Sequence, residues 1–331
     1  MTQEKVLETV RGAISPSEIG LCHSHEHLFI KKGQPEKLDP ALLLDDYEKT
    51  KSEVELFKRL GGRTIVDAQP VGSGRDAKNL LKLSEESGVH VLASTGFHKF
   101  GFYPDRHWIH ERPVRDLADL FISEINEGLF ADGEEAWPER RLPAKAGLIK
   151  TAADSEGPVG RYAELFQAAA IASVETGAPI MSHTELGEHA MDQVRCYIKH
   201  GVSEDRLILC HLDRRMENAE DMLRVADTGV YLELDTIGRF KYHSDQEEAE
   251  LIRLLLDHGH EDRLLLGLDT TRKRMKSYGG EIGLDHLIGA FLPLLRETGI
   301  TESQIEKMMT HNPARAYSKR IHRKELHHDP N

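Results

Sequence analysis

Cysteine is scarce: three residues in 331, at Cys22, Cys196 and Cys210. So few and so scattered, they exclude a disulfide-stapled secreted scaffold and suit a cytoplasmic protein. No apolar run approaches the ~18–20 residues that a membrane span requires. The opening MTQEKVLETV has no basic stretch followed by an apolar one, so no secretory leader is expected. Positive charge is outnumbered, 43 Lys+Arg against 56 Asp+Glu, and the net charge of -13 argues against nucleic acid as a partner. A glycine-rich phosphate turn after an early strand is also missing, which counts against a dinucleotide-binding fold. What the chain has in quantity is histidine, 19 residues. Imidazole is the commonest metal ligand and titrates near neutral pH.

An amphipathic segment, a glycine and a short apolar run recur along the chain. The pattern appears at 58–68 and 84–94, and again at 173–183, 197–211, 224–234 and 255–269. Glycine past a helix end supplies the left-handed turn that closes the helix, and the Ile/Val/Leu runs read as strands buried on both faces. IGLCHSH near residue 19 and AGLIKTA near residue 146 bring the candidate strands to eight. Strands alternating with helices over this length predict an α/β fold, a (β/α)8 TIM barrel, in one domain over 1–331. A short N-terminal extension precedes it, and a polar tail from about 321 to 331 follows, holding His322, His327 and His328. The longest connection, roughly 97–145, follows strand three and is expected to contain a helix near 114–128. Its start, FHKFGFYPDRHW, holds five of the chain's 20 aromatic residues and reads equally as a pocket wall or as a packed loop.

Barrel active sites lie at the C-terminal ends of the strands. Those positions hold His25 and His27, Lys150, His183, His211 and Asp269. His25 and His27, one residue apart on a strand, point to the same face and can share a cation. Lys150 ends a buried run. A desolvated lysine is nucleophilic, so it could form a Schiff base or a carbamate. His98, His107, His110 and His243 lie in loops, with no role readable from position.

The stretch VLETVRGAISPSEIGLCHSHEHL (6–28) resembles the opening of the phosphotriesterase family of the amidohydrolase superfamily. The resemblance continues through LIKTA, MSHTELG, LCHLD, GLDT and HNPAR, in order and over nearly the whole chain. It implies a hydrolase with two divalent metals, usually zinc. His25, His27 and Asp269 would hold one, His183 and His211 the other, and Lys150, carboxylated by carbon dioxide, would bridge them. A hydroxide shared by the metals would attack the substrate, with Asp269 as proton acceptor. Leu268 stands where many members carry His, so a contact supporting the centre is expected to be missing.

The loops after strands seven and eight carry Arg239, Lys241, Arg272, Lys273 and Tyr278. Such cations suit a phosphate group. With the resemblance, they favour a lactonase for phosphorylated sugar (furanose) lactones, in which Arg272, Lys241 and Tyr278, then Arg239 and Lys273, bind phosphate; Tyr103 is a further substrate-contact candidate. A broad lactonase or phosphotriesterase for apolar substrates is the enzyme alternative. A metal-stabilised binding module without turnover is the alternative from another class. The expected partner is a small molecule, with no nucleic acid and no membrane; a homodimer stays open.

Overall fold

The structure, a computed structural model, describes residues 5–215 and 219–320. The polar tail at 321–331, with its three histidines, lies outside the described residues. A hairpin of β1 (Lys5–Thr9) and β2 (Gly12–Ile14) comes first. Eight strands then form one parallel sheet in sequence order. They are β3 (Leu21–Glu26), β4 (Gly62–Asp67), β5 (His90–Gly96), β6 (Ala146–Ala152), β7 (Ile180–His183), β8 (Leu207–Cys210), β9 (Tyr231–Leu234) and β10 (Leu264–Leu266). Past the end of β10, the N–H of Asp269 donates to His25 O (3.0 Å), joining the last strand to the first. This is the expected (β/α)8 barrel, with its eight strands at the segments read as strands from the sequence.

Successive residues of one strand enter two different cores, because side chains alternate across a pleat. On β8, Leu207 and Leu209 pack outward against helices, while Ile208 and Cys210 fill the barrel interior. β10 repeats this, with Leu264 and Leu266 outside and Leu265 inside. Burial on both faces explains why these runs are apolar throughout. Asp46 caps helix Tyr47–Arg59 and Asp76 caps helix Ala77–Ser87, which ends at Gly88 with φ 75°. Leu7 and Tyr317 enter the interior cluster from β1 and from the chain's end, where Lys319–Arg320 (β11) pairs with β1. Among the described residues, no helix is long and apolar enough to cross a membrane.

The connection between β5 and β6 contains a helix at Val114–Asn126. It is pinned by a buried bidentate pair: Arg75 Nη1 and Nη2 donate to Glu124 Oε2 (3.0 Å) and Oε1 (2.6 Å). The same guanidinium donates to Ser94 O on β5 (2.8 Å) and to Phe130 O (3.0 Å). The aromatic start of the connection is mainly a packed loop, with Tyr103 and Trp108 in the outer core. His107 is locked there as a neutral imidazole. Its Nε2–H donates to Gly133 O (2.8 Å), and Nδ1 accepts from the N–H of Ile109 (3.1 Å).

Arg75→Met leaves Glu124 charged, buried and unpaired, and should cost about 3–5 kcal/mol in denaturant unfolding. Burial holds His107 down, from 6.5 to about 4, despite its bond to Gly133. Folding therefore favours the neutral form, and this contribution is present above pH 6.5 and lost as pH falls toward about 4. The stability difference between wild type and His107→Asn should shrink across that interval; a constant difference would show that His107 does not titrate with folding.

Candidate metal centre

Six side chains from five strand ends meet in one cleft. His25 and His27 stand at and just past the end of β3, Lys150 on β6, His183 at the last residue of β7, His211 just after β8 and Asp269 after β10. All six line a cavity of about 190 Å³. At His211 (φ 67°) and Asp269 (φ 47°) the backbone turns left-handed, unusual for residues other than glycine. Such strain survives only where surrounding contacts enforce it. The rings of His25 and His27 are 5.7 Å apart, those of His25 and His211 5.0 Å, and those of His183 and His211 4.4 Å.

Carboxylates behind the cleft set the tautomers. His25 Nδ1 donates to Glu233 Oε2 (2.7 Å), and His211 Nδ1 donates to Asp235 Oδ1 (2.6 Å). A carboxylate can only accept, so Nε2 of each ring keeps its lone pair for the cleft. Burial, reinforced by Lys150, holds His25 well below the usual histidine range; burial and Arg214 do the same to His211. Burial takes His183 to about 3 in spite of its contact with Glu185. These imidazoles are neutral at pH 7, the form that coordinates metal.

Lys150 Nζ lies 3.3 Å from His25 Nε2, and its side chain is almost wholly buried. Asp269 Oδ1 is 3.3 Å from His27 Nε2 and 3.7 Å from His25 Nε2. The donor atoms of His25, His27 and Asp269 all lie within 4.8 Å of one another, as do those of His211, Asp235 and Asp269. Two imidazoles facing a carboxylate fit one divalent cation. Burial alone would raise Asp269, but Arg239, the His27 contact and Arg214 hold it well below the usual carboxylate range. Its Oδ2 accepts from Arg214 Nη2 and Arg239 Nη1, each at 2.6 Å.

Glu26, between the paired histidines, faces away from the cleft. It accepts from the Leu268 and Thr270 N–H groups (3.1 and 3.2 Å) and pairs with His23 Nδ1 (2.9 Å). Leu268 itself packs in the outer core. Unlike His25 and His211, His27 has a buried Nδ1 with no hydrogen-bond partner.

Of the residues expected to contact substrate, Arg239 and Lys241 line the cleft. Arg272, Lys273, Tyr278 and Tyr103 are not among the lining residues. The Tyr278 hydroxyl donates to Asp46 O (3.0 Å) and meets Thr50 Oγ1 (3.2 Å), so it fastens a loop to a helix. Arg272 lies over the Tyr278 ring at 5.3 Å, and Lys273 points to solvent near Asp39. Tyr103 is buried, its oxygen accepting from the His98 N–H (2.7 Å). For Arg272, Lys273 and Tyr278, closeness to Asp269 in the chain does not place the side chain in the cleft. His98 and Tyr242 also reach the cleft, and so do Gln69, Lys99 and Arg214, which were not singled out from sequence. A glutamate within the buried run YLEL was the available signal for Glu233; Arg214 had none beyond following His211.

A barrel carrying histidines, a lysine and an aspartate at its strand ends, with a donor set for divalent cations, defines a metal-dependent hydrolase class. The phosphotriesterase family profile matches residues 5–317, and the chain belongs to that family. A phospho-furanose lactonase of Mycoplasmopsis synoviae is 32% identical over 326 residues, covering 95% of this chain and 92% of that protein. The crystal structure of a lactonase from Listeria monocytogenes superposes with a TM-score of 0.87 at 28% identity, covering 96% and 100% of the two chains. The phosphotriesterase homology protein of Escherichia coli, solved with phosphate in its active site, gives a TM-score of 0.82 at 29% identity, covering 91% and 99%.

Asp235→Asn replaces the acceptor that orients His211 and should weaken divalent-metal binding about 10–100-fold in a chelator competition titration. Unchanged affinity would remove the orienting role.

Proposed function

We propose that the chain is a lactonase that opens phosphorylated furanose lactones. The observation that carries this reading is a His/Asp donor set sharing one cleft with Arg214, Arg239 and Lys241. The name of the Mycoplasmopsis relative and the phosphate held by the Escherichia coli protein support it. In this reading His25, His27 and Asp269 would hold one divalent cation and His183 and His211 a second, and Lys150, as a carbamate, would be a further ligand. The nitrogen-rich donors favour zinc. When bound, such cations polarise a carbonyl and make water nucleophilic near neutral pH.

The chain's own residues supply the rest. Asp269, ionised and held by two guanidinium groups, takes the proton of the attacking water and delivers it to the ring oxygen as the C–O bond breaks. Arg214 and Arg239 fix the carboxylate's orientation, since each bond to it is charge-assisted and short. Lys241, on the loop after β9 and 4.5 Å over the Tyr242 ring, presents an ammonium at the cleft wall. A phosphate dianion there gains most from Lys241 and Arg239. Phe102, Leu42 and Ile30 cover the cleft's apolar side, which suits the sugar ring's carbon edge.

The test compares metal-loaded wild type and Lys241→Ala on a phosphorylated aldonolactone and on its dephosphorylated analogue. Loss of one charged hydrogen bond should raise KM for the phosphorylated lactone about 10-fold or more, with little change for the other. Equal effects on both would sink the phosphate assignment. Turnover only of acyl-homoserine lactones or organophosphate esters would favour the apolar-substrate alternative.

A further inference from the structure

A second group of donors lies outside the cleft. Asp213 follows β8, His243 is on the loop after β9, and Glu248 is on helix Asp245–Asp257. Their ligand atoms lie within 4.8 Å of one another, and all three side chains are buried. Asp213 Oδ2 accepts from the Thr236 N–H (2.7 Å), but Oδ1 has no hydrogen-bond partner, and neither has either oxygen of Glu248. His243 Nδ1 lies 3.2 Å from Ser244 O. A carbonyl can only accept, so Nδ1 carries the hydrogen and Nε2 is the ring atom turned inward. That nitrogen is 3.0 Å from Glu248 Oε2 and 3.0 Å from Thr236 Oγ1.

Two carboxylates in one small buried space, with Asp213 Oδ1 and both Glu248 oxygens lacking a hydrogen-bond partner, call for positive charge. A single proton cannot meet it. Protonating His243 offsets one carboxylate and leaves the other, while Asp235 and Asp245 add like charge. Arg214, the cation beside Asp213, is already committed to Asp269. Without such a charge, burial, then Asp213 and Asp235, push Glu248 well above the usual carboxylate range. We propose that Asp213, His243 and Glu248 form a separate site for a divalent transition cation of the zinc type. Two carboxylates and one imidazole match the ligand chemistry of that ion, and its charge balances both acids. A cation there would tie the loops after β8 and β9 to the following helix. Those loops carry Arg214, Arg239, Lys241 and Tyr242 into the cleft, so the site would brace the cleft wall without touching substrate.

The experiment is anomalous diffraction from crystals of the full chain loaded with Zn²⁺, recorded above and below the zinc edge. The expected result is a peak about 2.0–2.2 Å from an oxygen of Asp213, an oxygen of Glu248 and Nε2 of His243. In Glu248→Gln crystals this peak should vanish while peaks at the cleft persist. Equilibrium dialysis should show the same variant binding about one metal fewer per chain. Water or bare density at this position, or Asp213 and Glu248 sharing a proton at hydrogen-bond distance, overturns the proposal whatever the cleft contains. A peak here with an empty cleft would sustain it and count against the two-metal hydrolase reading instead.

Discussion

The barrel closes through a backbone contact, and the centre depends on that closure. The Asp269 N–H reaches His25 O at 3.0 Å, bringing a residue past the last strand against one on the first. Glycine at 267 makes the approach possible: a Cβ there would come within 2.9 Å of the His25 backbone nitrogen. Glu26 adds a second stitch by accepting from Leu268 and Thr270. Without this seam the paired histidines and the aspartate, some 240 positions apart in the chain, would have no common site. The left-handed turn at Asp269 is the local strain that accompanies it.

Charge is the second constraint, and it is managed in layers. His25, His183 and His211 are neutral because they are buried, and Glu233 and Asp235 hold two of them in the tautomer that leaves Nε2 free. Burial pushes those two acids up, and buried carboxylates become inexpensive only beside cations or hydrogen-bond donors. Arg214 and Arg239 neutralise Asp269 from the other side. The cleft is therefore a place where negative protein groups and positive wall groups oppose each other across a small cavity.

Much of this was legible in the chain. Apolar runs located all eight strands, because a strand buried on both faces is mostly apolar outside the positions that face the cleft or the carboxylates behind it. His25, His27, Lys150, His183, His211 and Asp269 could be placed at strand ends by one rule, and the structure brings them together. The substrate loops were not legible in the same way. Arg272, Lys273 and Tyr278 follow Asp269 closely, yet Tyr278 turns to the helix at Tyr47–Arg59 and Lys273 to solvent. Arg214 reaches the cleft from a segment whose sequence advertises nothing but a pair of arginines.

By itself, then, the sequence determined the barrel, its eight strands and the side chains that gather at its rim. These follow from periodic burial, which is a local property repeated along the chain. The tertiary structure alone decided which loop residues face the cleft, which tautomer each histidine adopts, and which acids are left buried without partners. Those outcomes depend on contacts between segments far apart in sequence: Glu233 under His25, Asp235 under His211, and Glu248 beside Asp213. No local pattern encodes such meetings, because each is set by the packing of whole strands and helices around the barrel.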